Sequence, residues 1–340
     1  MKAWLTSEVH SLGRSLESAQ QVHSLRREMI LRIEIDGVVG IGLGSPQPEE
    51  ILGDAGFDAV WQRLRSGGLR RLGDALLHRK GFTWGHVRSL FGDSAADRAA
   101  AALCESALLD IECGGSPTHW RSLFGGERSE SQWTVGLAES EWSIPEEVTR
   151  VRVKCDLNDL GNLERLNDVK APILLDANGS TLPVSLITEL WRQFSSDCSV
   201  VAVEQAWGVG DFAVPAELRR HGVRTSHDES IRSILDVRHA SRYAAADVLC
   251  LKPFRLGGVS ATRQAADIAR SNGLEVYLGG FFESPLGRFR NECIAQDIHA
   301  GPSDILAMRG ERVTEEEARG EWHRFDEIAR DRGEQFEWGG

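Results

Sequence analysis

The sequence has no C-x-x-C pair, no apolar run approaching membrane-spanning length, and fewer cations than anions, with 39 Lys and Arg against 51 Asp and Glu. Each deficit excludes something. The formal net charge of −12 excludes a nucleic-acid or anionic-membrane surface, because phosphate binding needs clustered Lys and Arg. Short apolar stretches exclude a transmembrane helix. The six cysteines (Cys104, Cys113, Cys155, Cys198, Cys250 and Cys293) are scattered, several inside apolar runs where a thiol acts as a small hydrophobe. A reduced compartment follows. After Met1-Lys2-Ala3-Trp4 the chain continues with polar residues rather than an apolar leader, so a cytoplasmic location is expected.

The 340 residues, 41% of them hydrophobic, suffice for a sizeable core and suggest two domains. Residues 28–45 broadly alternate apolar and polar and turn at Asp36-Gly37, which predicts an antiparallel hairpin. Ile51 to Leu77 and Ser94 to Ile111 place Leu and Ala at helical steps, with Asp93-Ser94 as the start of the second. The Gly125-Gly126 pair marks a boundary, after which short β-rich runs alternate with helices. Strands are expected to end at Val135, Val153, Leu175, Val203, Ser226, Leu251 and Leu278, with an eighth near His299. The boundaries drawn are an α+β domain over 1–127, an α/β domain over 128–305, and an acidic helical tail over 306–340 that packs back on the first domain.

Five charged residues recur through the second half, Lys154, Asp176, Glu204, Asp228 and Lys252, each at the end of an apolar run. Their spacing of roughly two dozen residues is one strand, one turn and one covering helix, so they lie at corresponding ends of successive parallel strands. In a closed parallel barrel those ends form the active face. Three acids flanked by two lysines then converge, and their mutual repulsion is relieved most simply by a bound divalent cation.

The motifs around these positions resemble the enolase superfamily, specifically its muconate-lactonizing subgroup with o-succinylbenzoate synthases and N-acylamino acid racemases. Arg152-Val153-Lys154 is similar to the K-x-K pair, Leu175-Asp176-Ala177-Asn178 to L-D-A-N, Val203-Glu204-Gln205 to V-E-Q, and Asp228-Glu229-Ser230 to D-E-S. Lys252-Pro253-Phe254-Arg255-Leu256-Gly257-Gly258 resembles K-P-x-R-x-G-G, and Gly279 to Arg288 the G-G-x-x-E-x-x-x-G-R ending. The six segments occur in the family's order, and the resemblance covers most of the chain. The resemblance implies an α+β capping domain followed by a modified TIM barrel.

It further implies Mg2+, with Mn2+ as a substitute, held by Asp176, Glu204 and Asp228. Removing a proton α to a carboxylate creates an enediolate, and a hard cation on both oxygens lowers that barrier. Lys154 becomes the base, with Lys252 opposite. Arg152 keeps a positive charge beside Lys154 and so favours the neutral amine that a base requires, while Asn178, Gln205 and Glu229 orient the ligands. Gly257, Gly258, Gly280, Phe281, Glu283 and Arg288 are assigned to the substrate, although the glycines equally suit a tight turn and Arg288 a local pair. Phe254, Phe281, Phe282 and Trp207 are candidate pocket walls or core residues, and His227 alternates away from the barrel centre as a structural residue.

Two departures stand out. Arg152 replaces the first Lys of K-x-K, and Gly40-Ile41-Gly42-Leu43 has Leu43 where the resemblance expects an acid. The segment from Ser7 to Gln21, expected to close over the substrate, is not hydrophobic, and Ala300 to Asp304 has no clear match. The reading is therefore a Mg2+-dependent enzyme acting on a small-molecule carboxylate, by dehydration of the o-succinylbenzoate synthase type. Racemisation or epimerisation of N-acyl amino acids or dipeptides is the alternative, followed by cycloisomerisation. A catalytically silent scaffold barrel is the rival of another class. By resemblance the chain is a homo-oligomer.

Overall fold

The computed structural model describes residues 1–17, 22–125, 128–139, 141–155, 160–197 and 199–338. Gly126, Cys198 and residues 18–21 of the expected closing segment lie outside the described residues.

The capping domain opens with strands β1 (Lys2–Glu17), β2 (Val22–Ile35) and β3 (Val38–Gly44) in an antiparallel sheet. The hairpin expected from alternation forms, and its turn is tight because Asp36 and Gly37 both adopt positive φ, 51° and 82°. Helices α1 (Phe57–Arg63), α2 (Leu69–His78), α3 (Ala95–Glu112) and α4 (Pro117–Phe124) follow, of which α3 packs on β2 and β3. Ser94 caps α3 by accepting the Asp97 amide, as expected. The long helix expected over 51–77 is instead interrupted. Gly53 has φ 82° and Gly67 has φ 140°, conformations a helix cannot hold, so 51–56 is irregular and a wide turn over Leu64–Gly68 separates α1 from α2.

Seven parallel strands follow, β4 (Gln132–Gly136), β5 (Arg150–Lys154), β6 (Ile173–Asp176), β7 (Val200–Glu204), β8 (Thr225–His227), β9 (Val248–Leu251) and β10 (Glu275–Leu278), neighbours in chain order. The seven expected strand ends fall within one residue of those observed. Around them lie α5 (Val184–Asp197), α6 (Ala213–Arg220), α7 (Ile234–Arg242), α8 (Pro253–Leu256), α9 (Val259–Ser271) and α10 (Pro285–Asp297). The eighth strand expected near His299 does not form. His299 takes a positive φ of 44°, and residues 301–304 act as an irregular stave. Its amides at Gly301 and Asp304 donate to Val276 and Leu278 of β10, while Ser303 exchanges bonds with Glu130 and Gln132 beside β4. That stave bridges the two edges of the parallel sheet, giving the modified barrel.

The tail returns to the cap. Helix α11 (Glu315–Arg332) begins at a capping box on Thr314 and Glu317, and β11 (Glu334–Glu337) pairs antiparallel with β1. The sequence reading foresaw the helix but not the strand.

Candidate active site

Parallel register sets Lys154 beside Asp176, and Asp176 beside Glu204, at the C-terminal ends of β5, β6 and β7. Asp228 and Lys252 each follow the last residue of the next two strands. All five expected charges thus meet at one end of the barrel, where Asp176, Glu204 and Asp228 are buried. Arg152, Lys154, Asp176, Asn178, Asp228, Glu229 and Lys252 line one cavity, roofed from the cap by Gln47, Ile51, Leu52 and Asp54. Glu204 lies beneath the lining.

The lysines differ in their surroundings. Lys252 Nζ donates to Asp228 Oδ2 at 2.8 Å and sits over the Phe281 ring at 4.8 Å. Burial is the largest influence and lowers its pKa, but Asp228, Cys250 and Glu229 together more than offset it and leave the pKa raised. Lys154 has no carboxylate within ion-pair distance among the described residues. Burial lowers its pKa, Asp176 opposes the shift, and the Arg152 guanidinium adds to it. Arg152 is fixed by Asp304 at 2.8 Å and Thr134 at 3.1 Å, which leaves it 3.9 Å from Asp176 and 3.7 Å from Glu204.

Each acid is held differently. Asp228 accepts from Lys252 and, at 2.6 Å, from Arg255; these cations overcome the upward push of burial and hold its carboxyl far below the usual range. Arg255 is in turn gripped by both oxygens of Asp54, at 2.6 and 2.7 Å, which ties the cap roof to the barrel. Asp176 accepts from the backbone and side-chain amides of Asn178 at 2.9 and 3.1 Å. Glu204 accepts from Tyr277 and Ser226, and burial together with Asp176 and Asp228 pushes its pKa up to about 8. Gln205 receives the Asp228 and Ser230 amides, both at 3.2 Å, and so sets the turn that carries Asp228. Asn178 and Gln205 themselves hold left-handed backbone, φ 46° and 42°, the kind of local strain that surrounding structure must impose.

Among the described residues, no set of three His, Cys, Asp or Glu side chains is grouped closely enough to hold a metal ion as arranged. The chemistry nonetheless fits a hard cation. Donors from three adjacent strands are all oxygen, Glu204 is driven toward its neutral form by burial and then by the neighbouring Asp176 and Asp228, and Glu229 Oε2 is buried without a partner among the described residues. Asp176, Glu204 and Asp228 would hold the ion once Asp228 shares its oxygens with it as well as with Lys252 and Arg255.

The expected substrate residues divide. Gly280 and Phe281 line the cavity, with Phe282. Gly257 and Gly258 do not; they lie against Arg88 and Glu105 of the cap, where an added Cβ would approach within 2.8 and 2.4 Å. Glu283 accepts the Phe281 amide at 2.7 Å and pairs with Arg288 at 3.4 Å, while Arg288 also donates to the Asp304 carbonyl. That pair props the loop after β10 instead of facing the cavity. Trp207 and His227 pack edge to face in the interior, and His227, bonded to the Ala245 carbonyl, has its pKa pushed down to about 4 by burial. Sequence reasoning missed Asp54, Arg255, Tyr277 and Asp304. Arg255 stood inside a quoted motif; the other three carry no local pattern.

Residues 147–296 match the family model described as enolase C-terminal domain-like. An o-succinylbenzoate synthase of Enterococcus faecalis is 27% identical over 237 residues, covering 65% of this chain and 64% of that protein. An N-succinylamino acid racemase of Amycolatopsis is 25% identical over 236 residues, covering 65% and 63%. The chain thus spans less than two thirds of the length of these curated relatives. A solved structure of a probable mandelate racemase from Alicyclobacillus acidocaldarius superposes with a TM-score of 0.75 at 24% identity, covering 92% of this chain and 87% of the other, and shares the fold. Residues 147–296, which carry the barrel strands from β5 to β10 and the acids on consecutive strand ends, are thus enolase C-terminal domain-like, and the whole chain shares the cap-and-barrel fold of that solved structure.

Proposed function

We propose that this protein removes the α-proton of a small carboxylate substrate with Lys154 and completes a dehydration of the o-succinylbenzoate synthase type. The observation that carries the reading is the inequality of the two lysines. Lys154 is unpaired and biased toward its neutral form, as a base must be, whereas Lys252 is locked to Asp228 and stays charged. A dehydration needs one base and one stationary cation. When bound by Asp176, Glu204 and Asp228, Mg2+ would supply charge stabilisation to the enediolate. Lys154 takes the α-proton; Lys252 faces the developing negative charge; the resulting Lys154 ammonium gives that proton to the β-hydroxyl, whose C–O bond breaks so that it leaves as water and Lys154 returns to its neutral form. Arg152 keeps Lys154 from holding its proton, and Asn178, Gln205 and Glu229 position the acids.

The second reading, racemisation or epimerisation, is favoured by the exposure of both lysines to one cavity. It requires Lys252 to leave Asp228 and exchange its own proton. Incubation with Mg2+ in D2O and a panel of α-substituted carboxylates, followed by NMR, separates them. Water loss without back-exchange supports dehydration, deuterium entering both enantiomers supports racemisation, and no exchange with any compound overturns both. Lys154→Ala should lower the exchange rate by about 10²–10⁴-fold with an unchanged melting temperature.

A further inference from the structure

A second cavity of about 60 Å³ lies along the seam between cap and barrel. Its walls are mostly apolar, with Leu43 from β3, Trp120 from α4, Phe254 from α8 and Ile294 from α10. It touches the reactive cavity through one shared residue, Phe281, whose ring meets Phe254 edge to face at 6.2 Å.

Two buried donors on α10 line this cavity without hydrogen-bond partners, Asn291 Nδ2 and Arg290 Nε. Asn291 is 7% exposed and Arg290 4%. Buried amide and guanidinium N–H groups left unpaired are costly, so two such orphans among the described residues, on neighbouring positions that both line one cavity, mark a place for an acceptor. The acceptor is uncharged. Arg290 has already spent its charge on Asp110, at 2.7 Å, and the Glu283 carboxylate on the same wall would repel an anion. Arg290 Nη1 already donates to the Ile41 carbonyl of β3, and Leu43, which lines the same cavity, offers the two orphans no side-chain acceptor.

We propose that this cavity is a subsite for the distal arm of the substrate, a short apolar group carrying a ketone, ester or amide carbonyl, reached past the Phe281 ring. The carbonyl oxygen accepts from Asn291 Nδ2 and Arg290 Nε, and the remaining atoms meet Trp120, Phe254 and Ile294. A volume of about 60 Å³ accommodates about four or five non-hydrogen atoms. The inference rests on the proposed α-proton chemistry only in assigning the occupant to the substrate.

The test uses binding, so it does not depend on turnover. The full chain is titrated by NMR, and its crystals are soaked, with 2-butanone and with 2-methyl-1-butene, the same shape without the carbonyl oxygen. Butanone should occupy the cavity with its oxygen on Asn291 and bind at least about tenfold more tightly than the alkene. Asn291→Leu should erase that preference, and Asn291→Asp, which replaces the donor by an acceptor, should do the same if the leucine variant does not fold. Equal affinity for both probes, density for ordered water alone, or occupancy only at soaking concentration would overturn the subsite. Failure of deuterium exchange with butanone still seated would instead overturn the reaction and leave the subsite standing.

Discussion

At the scale of single residues, Arg152 joins burial in favouring the neutral Lys154 on which the proposed reaction depends. Its guanidinium is anchored by Asp304 and Thr134 and cannot swing away, so Lys154 always feels its charge. A general base acts in its neutral form, so the exchange rate should rise with pH and level off above a pKa that lies below the ordinary lysine value. Removing the charge with Arg152→Gln raises that pKa and shifts the rising limb of the kcat/KM profile to higher pH. A limb that stays in place would show that burial alone tunes Lys154. The motif alone supplied the residue types here, because Lys and Asp at strand ends are visible in a linear chain. Asp304 was not visible, since the stave carrying it has no strand pattern and its role appears only when the barrel closes between β10 and β4, within reach of Arg152 on β5.

At the scale of elements, the Gly40-x-Gly42 spacing acquires a physical reason. Strand β3 runs so close to α3 that a Cβ on Gly42 would come within 2.2 Å of the Leu103 carbonyl oxygen, and one on Gly40 equally near that of Ala107. Gly42→Ala should therefore push the strand off the helix and cost about 1–3 kcal/mol, measured by urea unfolding. Strand β2 holds a second sensitive point in Glu28, fully buried, with its pKa pushed up to about 8 by burial. A carboxyl with a raised folded pKa favours the protonated native state. Its contribution is fully present below the unfolded value of 4.5 and is lost as pH rises from there through about 8. The melting temperature should fall across that interval, and Glu28→Gln should flatten the fall. An unchanged slope in the variant would place the dependence elsewhere, Glu105 with a pKa pushed to about 7 being the next group to replace. Helix α3 was legible because Ser94 and a long Ala/Leu pattern agree with its tertiary setting. The segment 51–77 misled because its apolar spacing continues across glycines whose backbone then turns.

At the scale of the whole molecule, the two ends of the chain are joined in one sheet. Strand β11 pairs with β1 from Lys2 to Leu5, Trp338 covers Gly73, and the Trp338 amide donates to the Met1 carbonyl. Truncation after Arg332 would bare the edge of β1 and the apolar face beneath Trp338. It should lower thermal stability and promote self-association, read by calorimetry and sedimentation. Because Arg255 bridges Asp54 of the cap and Asp228 of the barrel, loosening the cap should reach the reactive end as well, so the truncated chain should also lose exchange activity at temperatures where it remains folded.

The sequence by itself determined the barrel and the identity of its five charges, because strand, turn and helix repeat at a fixed interval and side chains at equivalent strand ends must meet. Tertiary structure alone decided which charges neutralise one another, how the last stave closes, where the cap grips the barrel, and which donors stay unpaired at the seam. Those outcomes depend on pairs far apart along the chain, such as Asp54 with Arg255, 201 residues apart, whose attraction becomes strong only after folding has removed the water between them.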